Sequence, residues 1–235
     1  MNENYENLIN SLISDGYLKT PLLIEAFKNI DRQDFVTEEY KNSAYVNEPL
    51  PIGFEQTISQ PLTVAFLMEL LEPKPGEKIL DIGAGSGWTS AILAYVTSGE
   101  WLKSKINPSA GGQKSKIDEE QGGKGLVIGI ECIPELKEFA EKNLAKYGFI
   151  EKGIVKLFSA DGVKGYKKEA PYDKIIAGAA AKGDVPAEWK KQLKIGGRIV
   201  APVGNSVVVI DKTGKGKYSR KEHFGFSFVP LISDK

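Results

Sequence analysis

LDIGAGSGW, residues 80–88, is the stretch that decides the fold. With the two residues before it, it begins as a short apolar run, KILDI (78–82), that reads as a buried strand. Glycines at 83, 85 and 87 then make a tight turn, and WTSAILAYV (88–96) continues as an apolar helix. Strand, glycine turn and helix open the βαβ unit of nucleotide-binding folds. The dinucleotide fingerprint G-x-G-x-x-G would place its third glycine at 88, where the chain has Trp88. That argues against a pyrophosphate ligand.

Downstream, strands alternate with helices. GLVIGIE (125–131) reads as a strand and PELKEFAEKNLAKYG (134–148) as a helix closed by Gly148. GIVKLFSAD and YDKIIAGAA are strands, VPAEWKKQL is a helix, and GGRIVAPVG is a strand. NSVVVIDKTGKGKYSRKEHFGFSFVPL (205–231) reads as two strands around a Gly-Lys turn. This pattern predicts an α/β fold with a doubly wound, mostly parallel sheet and a C-terminal antiparallel hairpin. Upstream, residues 4–30 and SQPLTVAFLMELL (59–71) carry helical apolar stripes, with Thr20-Pro21 and Pro61 at helix starts. Residues 40–58 read as loop or short extended pieces.

Residues 101–124, rich in Gly, Ser and Lys, interrupt the link to the second strand of the alternation and read as a flexible surface insertion. A lid over the site is the other reading. Gly87 and Glu131 lie 44 positions apart, and removing those 24 residues leaves 20. That is the spacing at which an acidic residue ending the second strand takes ribose hydroxyls. Asp81, Glu131 and Asp161 then fall at the carboxyl edge of the sheet. Acidic residues without a phosphate cradle suit S-adenosyl-L-methionine, which carries a sulfonium and an amino group.

Composition narrows the chemistry. The chain has 235 residues, 31 Lys plus Arg and 31 Asp plus Glu, so a formal net charge of zero and no global basic footprint for nucleic acid. Cys132 and His223 are the single cysteine and histidine, which argues against disulfides, metal clusters and Ser-His-Asp chemistry. Cys132 reads as a small buried residue beside Glu131, and His223 as part of a solvated hairpin. With no signal peptide or membrane span in view, the sequence predicts a soluble, cytoplasmic protein, and a monomer is expected although no motif fixes the oligomeric state.

The chain resembles the protein-L-isoaspartate O-methyltransferases. The glycine motif, Glu131 and SADG (159–162) are similar to the class I methyltransferase set; QTISQP (56–61), PYDKIIAGAAAKGDVP, QLKIGGRIVAPVG and the late FVPL are similar to this family in particular. The resemblance runs from residue 1 to 231. It implies a Rossmann-like methyltransferase fold in one domain, residues 1–76 on the substrate side and 77–235 as the cofactor core. It implies S-adenosyl-L-methionine as cofactor, no metal, and isoaspartyl proteins and peptides as partners, not nucleic acid or membrane. Asp81, Gly83, Ala84, Gly85, Gly87, Glu131, Cys132, Asp161 and Gly162 would contact the cofactor. Thr57, Ile58, Ser59 and Gln60 would meet the substrate, with Ser59 catalytic. Phe54-Glu55 departs from the family, which often has His or Tyr followed by Gly there.

The chemistry agrees with the missing histidine. A carboxylate with a pKa of roughly 4 is already ionised, so methyl transfer to it needs positioning, not a base. The start of the helix at Pro61 would offer free N–H groups to that anion, with the Ser59 hydroxyl as a further donor. On residue type alone, Ser59 could instead cap its own helix. A methyltransferase acting on nucleic acid or a small molecule, and a cofactor-binding module without isoaspartyl activity, are the alternatives.

Overall fold

The computed structural model describes residues 2–99 and 125–232; the 101–124 stretch read as an insertion lies outside the described residues. Two helices open the chain, α1 (Glu3–Ser14) and α2 (Pro21–Asn29). Proline does begin α2, but Thr20 does not cap it with its side chain. The Thr20 hydroxyl donates instead to Glu69 Oε2 at 2.7 Å, while Glu69 Oε1 accepts the Lys19 and Thr20 N–H groups. Glu69 belongs to α3 (Pro61–Leu71), so this carboxylate pins the entry of α2 to a later helix.

Residues 50–58 are more ordered than their composition suggests. β1 (Leu50–Gly53) and β2 (Gln56–Ile58) pair antiparallel, with Leu50 opposite Ile58. Phe54 (φ 53°) and Glu55 (φ 57°) make the turn, both left-handed. For a non-glycine residue that conformation costs roughly 1–2 kcal/mol. The sequence hid this hairpin because neither turn residue is the Gly or Asn such turns favour.

The main sheet has seven strands in the order β5-β4-β3-β6-β7-β8-β9. β3 (Lys78–Ile82) lies between β4 (Leu126–Glu131) and β6 (Tyr172–Ala177), parallel to both. β5 (Val155–Ser159) and β7 (Leu193–Val203) extend the parallel part outward. β8 (Ser206–Gly214) and β9 (Lys217–Phe224) close it as an antiparallel meander. The winding reverses between β3 and β6, and in such sheets the crevice at that reversal is where ligands bind.

Period-two alternation divides the core. Ile79, Val127, Val155, Ile176 and Val200 point to the face covered by α3, α4 (Trp88–Ser98) and α5 (Pro134–Ala145), with α2 packed on α3 and α4 and α1 on α2. Leu80, Ile128, Ile130, Ile175 and Ile199 point to the other face, where Trp189 of α6 (Ala187–Gln192) is fully buried among them. His223 lies on β9, the exposed outer strand of the expected hairpin, but is itself half-buried. Its ring meets Phe66 edge-on at 5.4 Å, and its Nε2 is buried without a hydrogen bond. No helix among the described residues is long and apolar enough to cross a membrane.

Candidate active site

The glycine loop is built onto the end of β4. The N–H groups of Gly83 and Ala84 both donate to the Ile130 carbonyl, at 2.9 and 3.1 Å. Gly83 (φ 75°) and Gly85 (φ 55°) turn the backbone out over the sheet edge, where a side chain would be strained. On the far side, Asn143 Nδ2 donates to the Ser86 carbonyl at 3.0 Å, tying the loop to α5. The loop floors an open cleft at the carboxyl edge of the sheet.

Glu131 stands on the wall of that cleft. Its Oε2 accepts the Gly85 N–H at 2.9 Å, and its Oε1 accepts those of Cys132 and Ile133 at 2.9 and 3.1 Å. A carboxylate has about four lone-pair sites. Three are taken by backbone, so Glu131 both closes the loop and keeps capacity for a ligand hydroxyl.

Gly83, Ala84, Gly85, Glu131, Cys132 and Gly162 line the cleft together, while three other residues expected at the cofactor do not. Asp81 is buried behind the loop, where its Oδ2 accepts the Ser90 hydroxyl at 2.6 Å and ties β3 to α4. Burial pushes its carboxyl up to about 7, opposed by the Ser90 bond and reinforced by the charge of Glu131. Gly87 (φ 89°) begins α4, and a Cβ there would lie 3.2 Å from Ala140 Cβ. Its role is close packing of α4 on α5. Asp161 turns away to accept the Val163 N–H at 2.9 Å and pair with Lys164 at 3.1 Å.

The QTISQ segment forms another wall of the cleft. Gln56, Thr57, Ile58 and Ser59 face the first cleft, and Thr57, Ser59 and Gln60 face a second one that it adjoins. Thr57, Ser59, Gly178 and Val229 belong to both linings, so the two clefts meet there. Ser59 does not cap α3. Gln60 holds the cap position, without a side-chain capping bond, and the Ser59 hydroxyl makes no hydrogen bond to the described residues. The anion site expected at the start of α3 is narrowed to Gln60 and Thr63, which line the second cleft. Pro61 has no N–H, and the Leu62 N–H donates to Asn47 Oδ1 at 3.0 Å.

The family described as protein-L-isoaspartate(D-aspartate) O-methyltransferase (PCMT) matches residues 3–235. The chain belongs to the protein-L-isoaspartate O-methyltransferase family. A Methanopyrus kandleri relative named protein-L-isoaspartate O-methyltransferase is 41% identical over 234 residues, covering 98% of this chain and 92% of its own. An Ignicoccus hospitalis relative of the same name is 40% identical over 240 residues, covering all of both chains. A Plasmodium falciparum chain crystallised with S-adenosyl-L-homocysteine superposes with a TM-score of 0.77 at 21% identity, covering 99% of this chain and 100% of that one. That likeness is one of fold.

Within this isoaspartate methyltransferase fold, the sequence reading missed several walls of the cleft. Ala160, Gly178 and Ala179 line it, as do Val229, Pro230, Leu231 and Ile232. The signal for Gly178 and Ala179 was the small-residue run AGAA (177–180), where backbone can lie against a ligand, and Ala160 stands within SADG. The second group comes from FVPL, a segment far away in sequence. Its Leu231 N–H donates to the Ala180 carbonyl and the Ala180 N–H to the Val229 carbonyl, each at 2.8 Å. Trp88 is buried and also lines the cleft.

Proposed function

We propose that the chain transfers a methyl group from S-adenosyl-L-methionine to the free carboxylate of L-isoaspartyl residues in damaged proteins. The resulting ester then collapses to a succinimide, through which aspartate is partly restored. One observation carries the reading: the glycine loop with Glu131 and the QTISQ segment line one cleft, joined to a second at Thr57 and Ser59, in a chain of this family. The neutral net charge supports protein or peptide partners over nucleic acid, for a monomeric enzyme of the cytoplasm. One domain would comprise a substrate-side segment, 1–76, and a cofactor core, 77–235.

The residues present fit the cofactor. The loop at Gly83 and Gly85 gives backbone approach without side chains, and Glu131 offers an acceptor to ribose hydroxyls. Gly162 lines the same cleft, and its missing Cβ lets Leu231 and Ile82 close in behind it, since a Cβ there would lie 2.9 Å from Leu231 Cδ1 and 3.0 Å from Ile82 Cγ2. When bound, S-adenosyl-L-methionine supplies an electrophilic methyl on a sulfonium. The substrate carboxylate oxygen forms the new O–C bond as the C–S bond breaks, and no proton moves. Ser59, its hydroxyl without a partner among the described residues, donates to that carboxylate and sets its direction. Thr57, Ile58 and Gln60 hold the peptide around it. Holding the two reactants in line can lower such a barrier by roughly 7–11 kcal/mol.

The test is methyl transfer to an isoaspartyl peptide and to its normal aspartyl twin. The wild-type protein should label the first and leave the second essentially untouched. Equal labelling of the two would refute the repair reading.

A further inference from the structure

Neither cleft is lined by a Lys, Arg or His among the described residues, and the one acidic side chain in the linings is Glu131. The start of α3 adds no charged side chain, and of its first N–H groups Pro61 has none and Leu62 is bound to Asn47. Apart from the cofactor's sulfonium, a counter-charge for an anionic substrate has to come from behind the wall. Arg32 is placed to give it. Its side chain is fully buried. Nη1 donates to the carbonyls of Ala44 (2.6 Å) and Val46 (3.3 Å), and Nη2 to those of Glu48 (2.9 Å) and Ser59 (3.1 Å). The guanidinium carbon lies 5.4 Å from the ring centre of Trp88, itself a wall of the cofactor cleft.

All four of these acceptors are neutral carbonyls. No carboxylate among the described residues forms an ion pair with Arg32, and its Nε is buried without a hydrogen bond. A buried cation is ordinarily paired, because an unpaired one is expensive to desolvate. Burial holds this guanidinium down to about 10, so it is charged at neutral pH. We infer that Arg32 is the positioning residue of the substrate side: it fixes the backbone of Ser59 through the Ser59 carbonyl, and its unneutralised charge favours the substrate carboxylate on the other face of that segment. This inference rests on the proposed isoaspartyl activity.

The experiment uses the full chain loaded with S-adenosyl-L-homocysteine, whose uncharged sulfur removes the sulfonium as a source of attraction. Calorimetry compares an isoaspartyl peptide with its isoasparaginyl twin, in which the carboxylate is an amide. The wild type should favour the carboxylate by at least roughly tenfold. Arg32→Met should bring that ratio close to one. Arg32→Lys keeps the charge and loses the fork, so it should keep most of the ratio while kcat falls and cofactor affinity holds. A purely structural role would move both peptides together. Equal binding of the two peptides by the wild type would overturn the inference without any variant, as would an unchanged ratio in Arg32→Met. An unchanged kcat in Arg32→Lys would remove the positioning role. Loss of fold in both variants would assign Arg32 to the fold alone and overturn the inference too. The wild-type labelling of isoaspartyl against aspartyl peptide separates its failure from that of the activity: discrimination there with equal binding here refutes only Arg32.

Discussion

At the scale of single residues, Ser59 and Glu131 separate by what each already holds. Ser59 makes no capping bond, so Ser59→Ala should leave the thermal melt within about 0.5 kcal/mol of wild type. The lost hydrogen bond to a charged group should cost roughly 1.5–3 kcal/mol at the transition state, about ten- to a hundredfold in turnover. A lower melt with full turnover would return Ser59 to a structural part. Glu131 is different, because it already accepts three backbone N–H groups. Glu131→Ala should weaken S-adenosyl-L-methionine by roughly tenfold or more and also lower stability, since buried donors lose their acceptor. Unchanged cofactor affinity by calorimetry would remove its ribose role. Ser59 and Glu131 were visible in the sequence because each stands in a local string with fixed spacing. Arg32 was not. In DRQDF it looks like any charged residue on a polar turn, and the carbonyls it gathers come from residues 44 to 59.

At the scale of elements, the β3–loop–α4 unit carries a proton. Asp81 is held at about 7 by burial, against the Ser90 bond and with Glu131 reinforcing, while an unfolded Asp titrates near 4. Between about pH 4 and 7 the folded chain therefore binds more protons than the unfolded one, so Asp81 lowers stability as pH rises and stops doing so above 7. Asp81→Asn keeps a group of the same shape beside Ser90 without the charge. Urea unfolding at about pH 4.5, 6 and 8 should show the variant losing less stability with rising pH than wild type, by at most ~4 kcal/mol across the window. Parallel curves for the two proteins would exclude Asp81 as the proton holder. This unit was legible because strand, glycine turn and helix follow one another within twenty residues, each with its own period. The 50–58 hairpin was not, because Phe54 and Glu55 adopt a conformation their side chains disfavour. Pro61 marked the start of α3 correctly, but Asn47, fourteen residues earlier, decides where the first donor of that helix goes.

At the scale of the whole molecule, the cleft draws its walls from nearly the full length of the chain. Gln56 to Ser59 come from the N-terminal third, the glycine loop and Glu131 from the centre, and Val229 to Ile232 from the last residues described. The segments also interlock away from the cleft. Arg198 Nη1 donates to the Leu70 carbonyl at 2.8 Å, and the Tyr147 hydroxyl donates to Asp34 Oδ2 at 2.8 Å. A substrate-side segment 1–76 bound this way should not unfold by itself. Calorimetric melting should thus show one transition, not two. Adding S-adenosyl-L-homocysteine at a hundred times its Kd should stabilise the folded chain by about 2.7 kcal/mol. For a chain of this size that is a rise in Tm of roughly 5–10 °C, and the whole peak should move. Two peaks, with only the later one shifted by ligand, would mean that the N-terminal segment is a separate cooperative unit resting on the cofactor core. The ligand would then report on the core alone, and the single-domain reading would fail.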